Sequence, residues 1–142
     1  MYRHILVPVD VEWQTERRPG LETAARLCQC FGAQLHVMTV VPDMGLPLVG
    51  QFFPKGAEEA MVEEAKAALH DLVKQKIPAG IEVQVVVAQG SVYRRVLEMA
   101  ETIGADLIVM AAHHPEGSER LLGPNASRVA RHAPCSVLVA RP

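Results

Sequence analysis

Ile5-Leu6-Val7-Pro8-Val9-Asp10 is the stretch from which the fold of this chain can be read. Residues 5–9 form a short, apolar, mostly branched run that does not alternate with polar residues. Such a run reads as a strand buried on both faces, as in a parallel sheet. A strand covered on both faces needs helices above and below it, and the flanking sequence supplies them. From residue 15 to 31 the apolar positions Leu21, Ala24, Ala25, Leu27, Cys28 and Phe31 follow helical spacing, and Gly32 is a suitable stop. Residues 34–40 read as the second strand. Residues 57–75 are rich in Ala, Glu and Lys, all strong helix formers, and Pro78 and Gly80 end them. A strand over 82–88, a helix over 91–103 with Ser91 as N-cap, a strand over 106–111, a short helix over 124–132 and a last strand over 136–140 complete the pattern.

Five strands alternating with helices imply parallel pairing through right-handed crossovers. The fold class is therefore α/β: an open, doubly wound, five-stranded parallel sheet, Rossmann-like, with predicted strand order 3-2-1-4-5. All of residues 1–142 are expected to form one domain. The switch point then lies between the first and fourth strands, and ligands of open α/β sheets bind outside the carboxyl ends there. Those ends are Pro8-Val9-Asp10 and Ala111-Ala112-His113-His114. The stretch from Pro42 to Gly56 lacks periodicity and reads as a long loop, with Phe52 and Phe53 available to cover the crevice or to pack on a second subunit.

Composition narrows the function classes. Of the 142 residues, 49% are hydrophobic and 21% charged, with a net charge of -2. That balance gives no electrostatic footprint for nucleic acid or for an anionic membrane surface. No apolar run reaches membrane-spanning length, and the charged opening Met1-Tyr2-Arg3-His4 is unlike a signal peptide, so a cytoplasmic location is expected. The three cysteines, Cys28, Cys30 and Cys135, contain no C-x-x-C and read as reduced thiols. No His, Cys or carboxylate spacing suggests a metal site.

Asp10, at the end of the first strand, has two readings. Its carboxylate can accept from a ribose hydroxyl or an adenine amine, or it can serve as a cap or turn for the following helix. On the other side of the switch point, residues 113–126 run from a strand end through a polar loop into a helix. A helix N-terminus has unpaired N–H groups and a positive dipole end, and so receives phosphate. Gly123 allows close approach to the backbone, and Asn125 adds a side-chain amide. Ser118 and Arg120 would add donors if the loop folds over a ligand. Gly123-Pro124 is equally an ordinary helix start, and Pro124 brings no N–H. His113 and His114 point to opposite sides of a strand end, so at most one touches a ligand; both also read as half-exposed loop residues. No G-x-S-x-G elbow accompanies Ser118, His113 and Asp10.

Three segments together resemble the universal stress protein family: Ile5 to Asp10, Leu35-His36-Val37-Met38-Thr39-Val40, and Arg131-His132-Ala133-Pro134-Cys135-Ser136-Val137-Leu138-Val139. The resemblance covers essentially the whole chain. Ala112-His113-His114-Pro115-Glu116 followed by Leu121-Leu122-Gly123-x-Asn125-Ala126 is most similar to the bacterial F/G-type branch. It implies an adenine nucleotide alpha hydrolase-like fold and a role in stress response. In nucleotide-binding members the fourth strand is followed by G-x2-G-x9-G-[ST]. Here Ala111 and His114 stand for the first two glycines, the spacer is one residue shorter, Gly123 is kept, and Pro124 replaces the Ser or Thr.

The resemblance implies ATP, or AMP or ADP, as ligand, with the part of Mg²⁺ open. It assigns the adenine and ribose to Pro8, Val9, Asp10 and Val40, and the phosphates to Ala111, His113, His114, Gly123, Pro124 and Asn125. It also implies a homodimer through the last strand, where Val137, Leu138 and Val139 would otherwise form an exposed edge; a covering tail or helix is the other solution. A family member that binds no nucleotide and acts as a dimeric interaction module is the alternative reading. No general base is evident, so at most slow ATP hydrolysis is expected.

Overall fold

The structure, a computed structural model, describes residues 1–13, 15–43, 56–112 and 122–142. Its elements are β1 (His4–Pro8), α1 (Pro19–Phe31), β2 (Gln34–Val41), α2 (Ala57–Lys76), β3 (Val83–Gln89), α3 (Val92–Ile103), β4 (Leu107–Ala111), α4 (Pro124–His132) and β5 (Ser136–Ala140). The five strands form one parallel sheet in the order β3-β2-β1-β4-β5, with helices on both faces, as the alternation predicts. The expected long loop falls mostly on residues 44–55, outside the described residues, and Phe52 and Phe53 with it.

β1 lies at the centre, and Ile5, Leu6 and Val7 are each at most 1% exposed. Side chains alternate across a strand, so the core divides in two. Ile5 and Val7, with Leu35, Val37, Leu107 and Val109, pack on Leu21, Ala24 and Cys28 of α1 and Leu69 of α2. Leu6, with Met38, Ile108 and Met110, packs on Val96 and Ala100 of α3 and Ala126 and Val129 of α4. Burial pushes the Cys28 thiol up to about 11, and the neighbouring Cys30 is exposed, so the two do face different ways.

One helix start differs from expectation. α1 begins at Pro19 rather than at residue 15, because a residue preceding proline is pushed off helical geometry and Arg18 has φ -129 and ψ 83. Ser91 occupies the N-cap position of α3 with extended backbone, but its side chain makes no capping bond. At the other end of α1, Gly32 takes the left-handed conformation expected of it, with φ 66. The fourth strand starts one residue late for a definite reason. Asp106 turns its carboxylate to the N–H groups of Arg3 at 2.8 Å and His4 at 3.1 Å, and its own N–H donates to the His4 carbonyl. The residue is a clasp between β1 and β4 instead of a paired strand position.

One polar inclusion crosses the sheet. His36 on β2 is 3% exposed and bonds His4 Nδ1 through Nε2 at 3.1 Å and Gln84 Oε1 through Nδ1. With Gln84 Oε1 as an acceptor, His36 carries its proton on Nδ1, and Nε2 accepts from His4. Protonating His36 at Nε2 would set two donors against each other. Burial, first, and the His4 charge lower the His36 pKa, while the bond to Gln84 and the Glu82 charge oppose them. A histidine whose folded pKa lies below its unfolded value is protonated first in the unfolded chain. Stability is therefore full at neutral pH and falls as the pH drops below about 6.5. Urea unfolding between pH 7.5 and pH 5 is expected to show this slope, and His36→Gln to flatten it; an unchanged slope in the variant would refute the assignment.

Candidate functional site

β1 and β4 are neighbours, yet the helices that follow them pack on opposite faces of the sheet. The chain parts at their carboxyl ends and leaves a crevice. It has a volume of about 660 Å³, within the range of small-molecule sites. Pro8, Val9 and Asp10 form one wall, Val40 the floor beside it, and Ala111, Gly123, Pro124 and Asn125 the wall opposite. The structure thus brings all of these sequence-predicted residues to one cavity. His113 and His114, with Ser118 and Arg120, lie outside the described residues. Among the described residues no cluster of His, Cys or carboxylates could hold a metal ion.

Asp10 is exposed at the crevice edge. Its Oδ1 accepts the Glu12 N–H at 3.0 Å, so the carboxylate closes a local turn. It does not cap α1, which starts nine residues later. Oδ2 takes no such bond among the described residues. The turn reading and the ligand reading of Asp10 are therefore compatible, one on each oxygen.

The opposite wall is the first turn of α4. Gly123 is its N-cap, Pro124 opens the helix as expected, and no side chain among the described residues caps it. The Gly123 N–H is already engaged with the Ala112 carbonyl at 2.8 Å, and Pro124 has none. The donors left at this helix end are the N–H groups of Asn125 and Ala126 and the Asn125 amide. That is a smaller cradle than a glycine-rich loop offers, but it retains the helix dipole. Gly123 has φ -63, which any residue adopts, and among the described residues a Cβ there would meet only the Ala112 carbonyl at 3.8 Å. Neither this backbone angle nor the described neighbours demand glycine at 123, and the bare backbone leaves room on the cavity side.

Some lining residues escaped the sequence reading. Trp13 and Arg18 come from the β1–α1 connection, Gly20 from the first turn of α1, Thr39 from β2, and Met61, Glu64, Ala65 and Ala68 from α2. Arg18-Pro19 followed by Glu22 marks a helix start and could have moved attention to Arg18. The Glu22 N–H donates to the Arg18 carbonyl at 2.9 Å, and the Arg18 N–H points back to the Glu22 carboxylate at 3.4 Å. Nothing local marks the α2 residues, since their place is set by how α2 packs on β2 and β3.

Comparison with known proteins agrees with this architecture. The sequence pattern of the Universal stress protein family matches residues 1–141. The chain is 34% identical to Universal stress protein G of Shigella flexneri over 143 residues, which is 99% of this chain and 100% of that one. Its fold is similar to universal stress protein UspA from Lactobacillus plantarum, with a TM-score of 0.71 and 25% identity over 99% of this chain and 98% of the other. It is also similar in fold to a universal stress protein in complex with cAMP, with a TM-score of 0.65 and 22% identity over 99% and 97%. A universal stress protein from Archaeoglobus fulgidus in complex with dAMP gives a TM-score of 0.67 and 20% identity over 98% of each chain.

The free space at Gly123 can be checked on the protein alone. Gly123→Ala is expected to cost no more than about 1 kcal/mol in urea unfolding, the ordinary N-cap preference. A loss several times larger would mean that the backbone, not the cavity, demands glycine.

Proposed function

The chain belongs to the universal stress protein family, and on that premise we propose that it holds an adenine nucleotide, ATP, in the crevice between β1 and β4 as part of a stress response. One observation carries the reading. The cavity has a carboxylate acceptor, Asp10 Oδ2, on one wall and, on the other, a helix N-terminus that no side chain among the described residues caps. A nucleoside phosphate has the matching parts: hydroxyl and amine donors at one end, anionic oxygens at the other. Pro8, Val9 and Val40 offer an apolar surface to the base, with Trp13 at the rim. Asn125 and Ala126 offer N–H groups to a phosphate. The fold relatives in complex with cAMP and dAMP support adenine nucleotides as the ligand class.

A second reading has its own support. Pro124 lacks an N–H and the Gly123 N–H is spent on Ala112, so the phosphate wall is weaker than the family motif would build. On that reading the protein is a dimeric interaction module without a nucleotide. In both readings we propose a homodimer through β5, which among the described residues pairs with β4 alone and is the edge strand of the sheet. Val137, Leu138 and Val139 are half-buried there, and pairing across a two-fold axis would satisfy the edge.

Calorimetric titration with ATP and Mg²⁺ is expected to give a Kd of about 1 μM or tighter. Asp10→Ala and Gly123→Leu should each weaken it, and the denatured, freshly purified protein should release an adenine nucleotide in mass spectrometry. A flat titration at millimolar ATP would favour the interaction module. Light scattering is expected to return about twice the 15.5 kDa chain mass, and Val139→Asp to return the monomer; a monomeric parent protein would refute pairing through β5.

A further inference from the structure

We infer that Arg18 is a positioning residue of this crevice: it fixes the turn after β1 so that the Asp10 carboxylate meets the ribose of a bound nucleotide. The inference rests on the nucleotide reading above. Arg18 stands just before α1, yet its side chain reaches back along the loop. Nη1 donates to the Asp10 carbonyl at 2.9 Å and Nη2 to the Trp13 carbonyl at 2.7 Å. One planar guanidinium therefore ties both ends of the segment 10–13. The same segment is closed from within by the bond from the Glu12 N–H to Asp10 Oδ1.

The strut has a rigid base. Pro19 limits the backbone at Arg18, and the reciprocal bonds with Glu22 lock Arg18 to the first turn of α1. It is also built at a cost that packing alone does not explain. Arg18 is half-buried against the cavity, and its Nε–H has no acceptor among the described residues. Burial lowers its pKa, and Asp10 opposes that. A lysine has a single point of charge and cannot span two carbonyls in a fixed fork. Among the described residues the Asp10 side chain makes no hydrogen bond beyond its turn, so the orientation of Oδ2 follows that of the 10–13 backbone. Losing the strut would leave the carboxylate present but unaimed, which costs affinity without removing a ligand contact.

The test uses the whole chain and two readouts. Calorimetry gives the ATP affinity of the parent, Arg18→Lys, Asp10→Ala and the double variant; amide exchange follows the Glu12 N–H, with Arg18→Gln as a second probe of the strut. Arg18→Lys is expected to weaken ATP roughly tenfold, about 1.4 kcal/mol, and to raise Glu12 exchange at least as much, with sheet amides unchanged. In the Asp10→Ala background the lysine should cause no further loss, since a positioning residue has nothing left to position. Additive losses, or parent-like affinity and exchange in Arg18→Lys and Arg18→Gln, would overturn the inference. If the parent itself binds no ATP, the nucleotide reading falls separately. Glu12 exchange then decides alone: faster exchange upholds the strut and unchanged exchange removes it.

Discussion

The structure depends on hiding both faces of one short strand. Ile5, Leu6 and Val7 carry almost no exposed surface, and burying such side chains is worth about 1.5–3 kcal/mol each. A strand buried this way must be central, must have neighbours on both edges, and must have a helix layer over each face. Those requirements are met by β2 and β4 on its edges, α1 and α2 on one side, and α3 and α4 on the other. The crevice follows from the same requirement. Adjacent strands that send their helices to opposite faces cannot cover the ground between their carboxyl ends.

The two ends of the sheet are finished differently. At the amino end, Asp106 clasps the start of β1, and the His4–His36–Gln84 row satisfies its polar groups internally. At the carboxyl end the groups are only partly used. Among the described residues, Asp10 spends one oxygen on its turn, no side chain caps α4, and the buried Arg18 Nε–H has no acceptor. Buried or oriented polar groups left open cost stability. Asp10, Arg18 and the start of α4 all border the cavity that the sequence-predicted site residues line.

The first turn of α4 shows how a departure from a motif acts physically. Replacing Ser or Thr by Pro124 removes a donor but suits the first helical position. Gly123 keeps its small size but turns its N–H inward to Ala112. What remains is a helix end with fewer N–H groups and an intact dipole, with the Asn125 side chain beside it. Membership of the universal stress protein family is compatible with such drift because the sheet and its switch point do not depend on these residues.

Much of this was legible in the chain itself. Apolar runs and helical spacing depend on neighbours a few residues apart, so the alternation of elements, the strand order and the crevice between Pro8–Asp10 and Ala111–Asn125 could be read directly. Boundaries were less legible: Pro19 cut α1 short, and Asp106 left the strand pattern to hold Arg3 and His4 across more than a hundred residues. The sequence by itself determined the layers, because burial patterns are local and periodic. Only the tertiary structure decided how the site is finished: that α2 contributes a wall, that the Gly123 N–H is taken, and that Arg18 reaches back to Asp10 and Trp13. Those outcomes are set by hydrogen bonds and packing between segments whose separation in sequence carries no signal of their closeness in space.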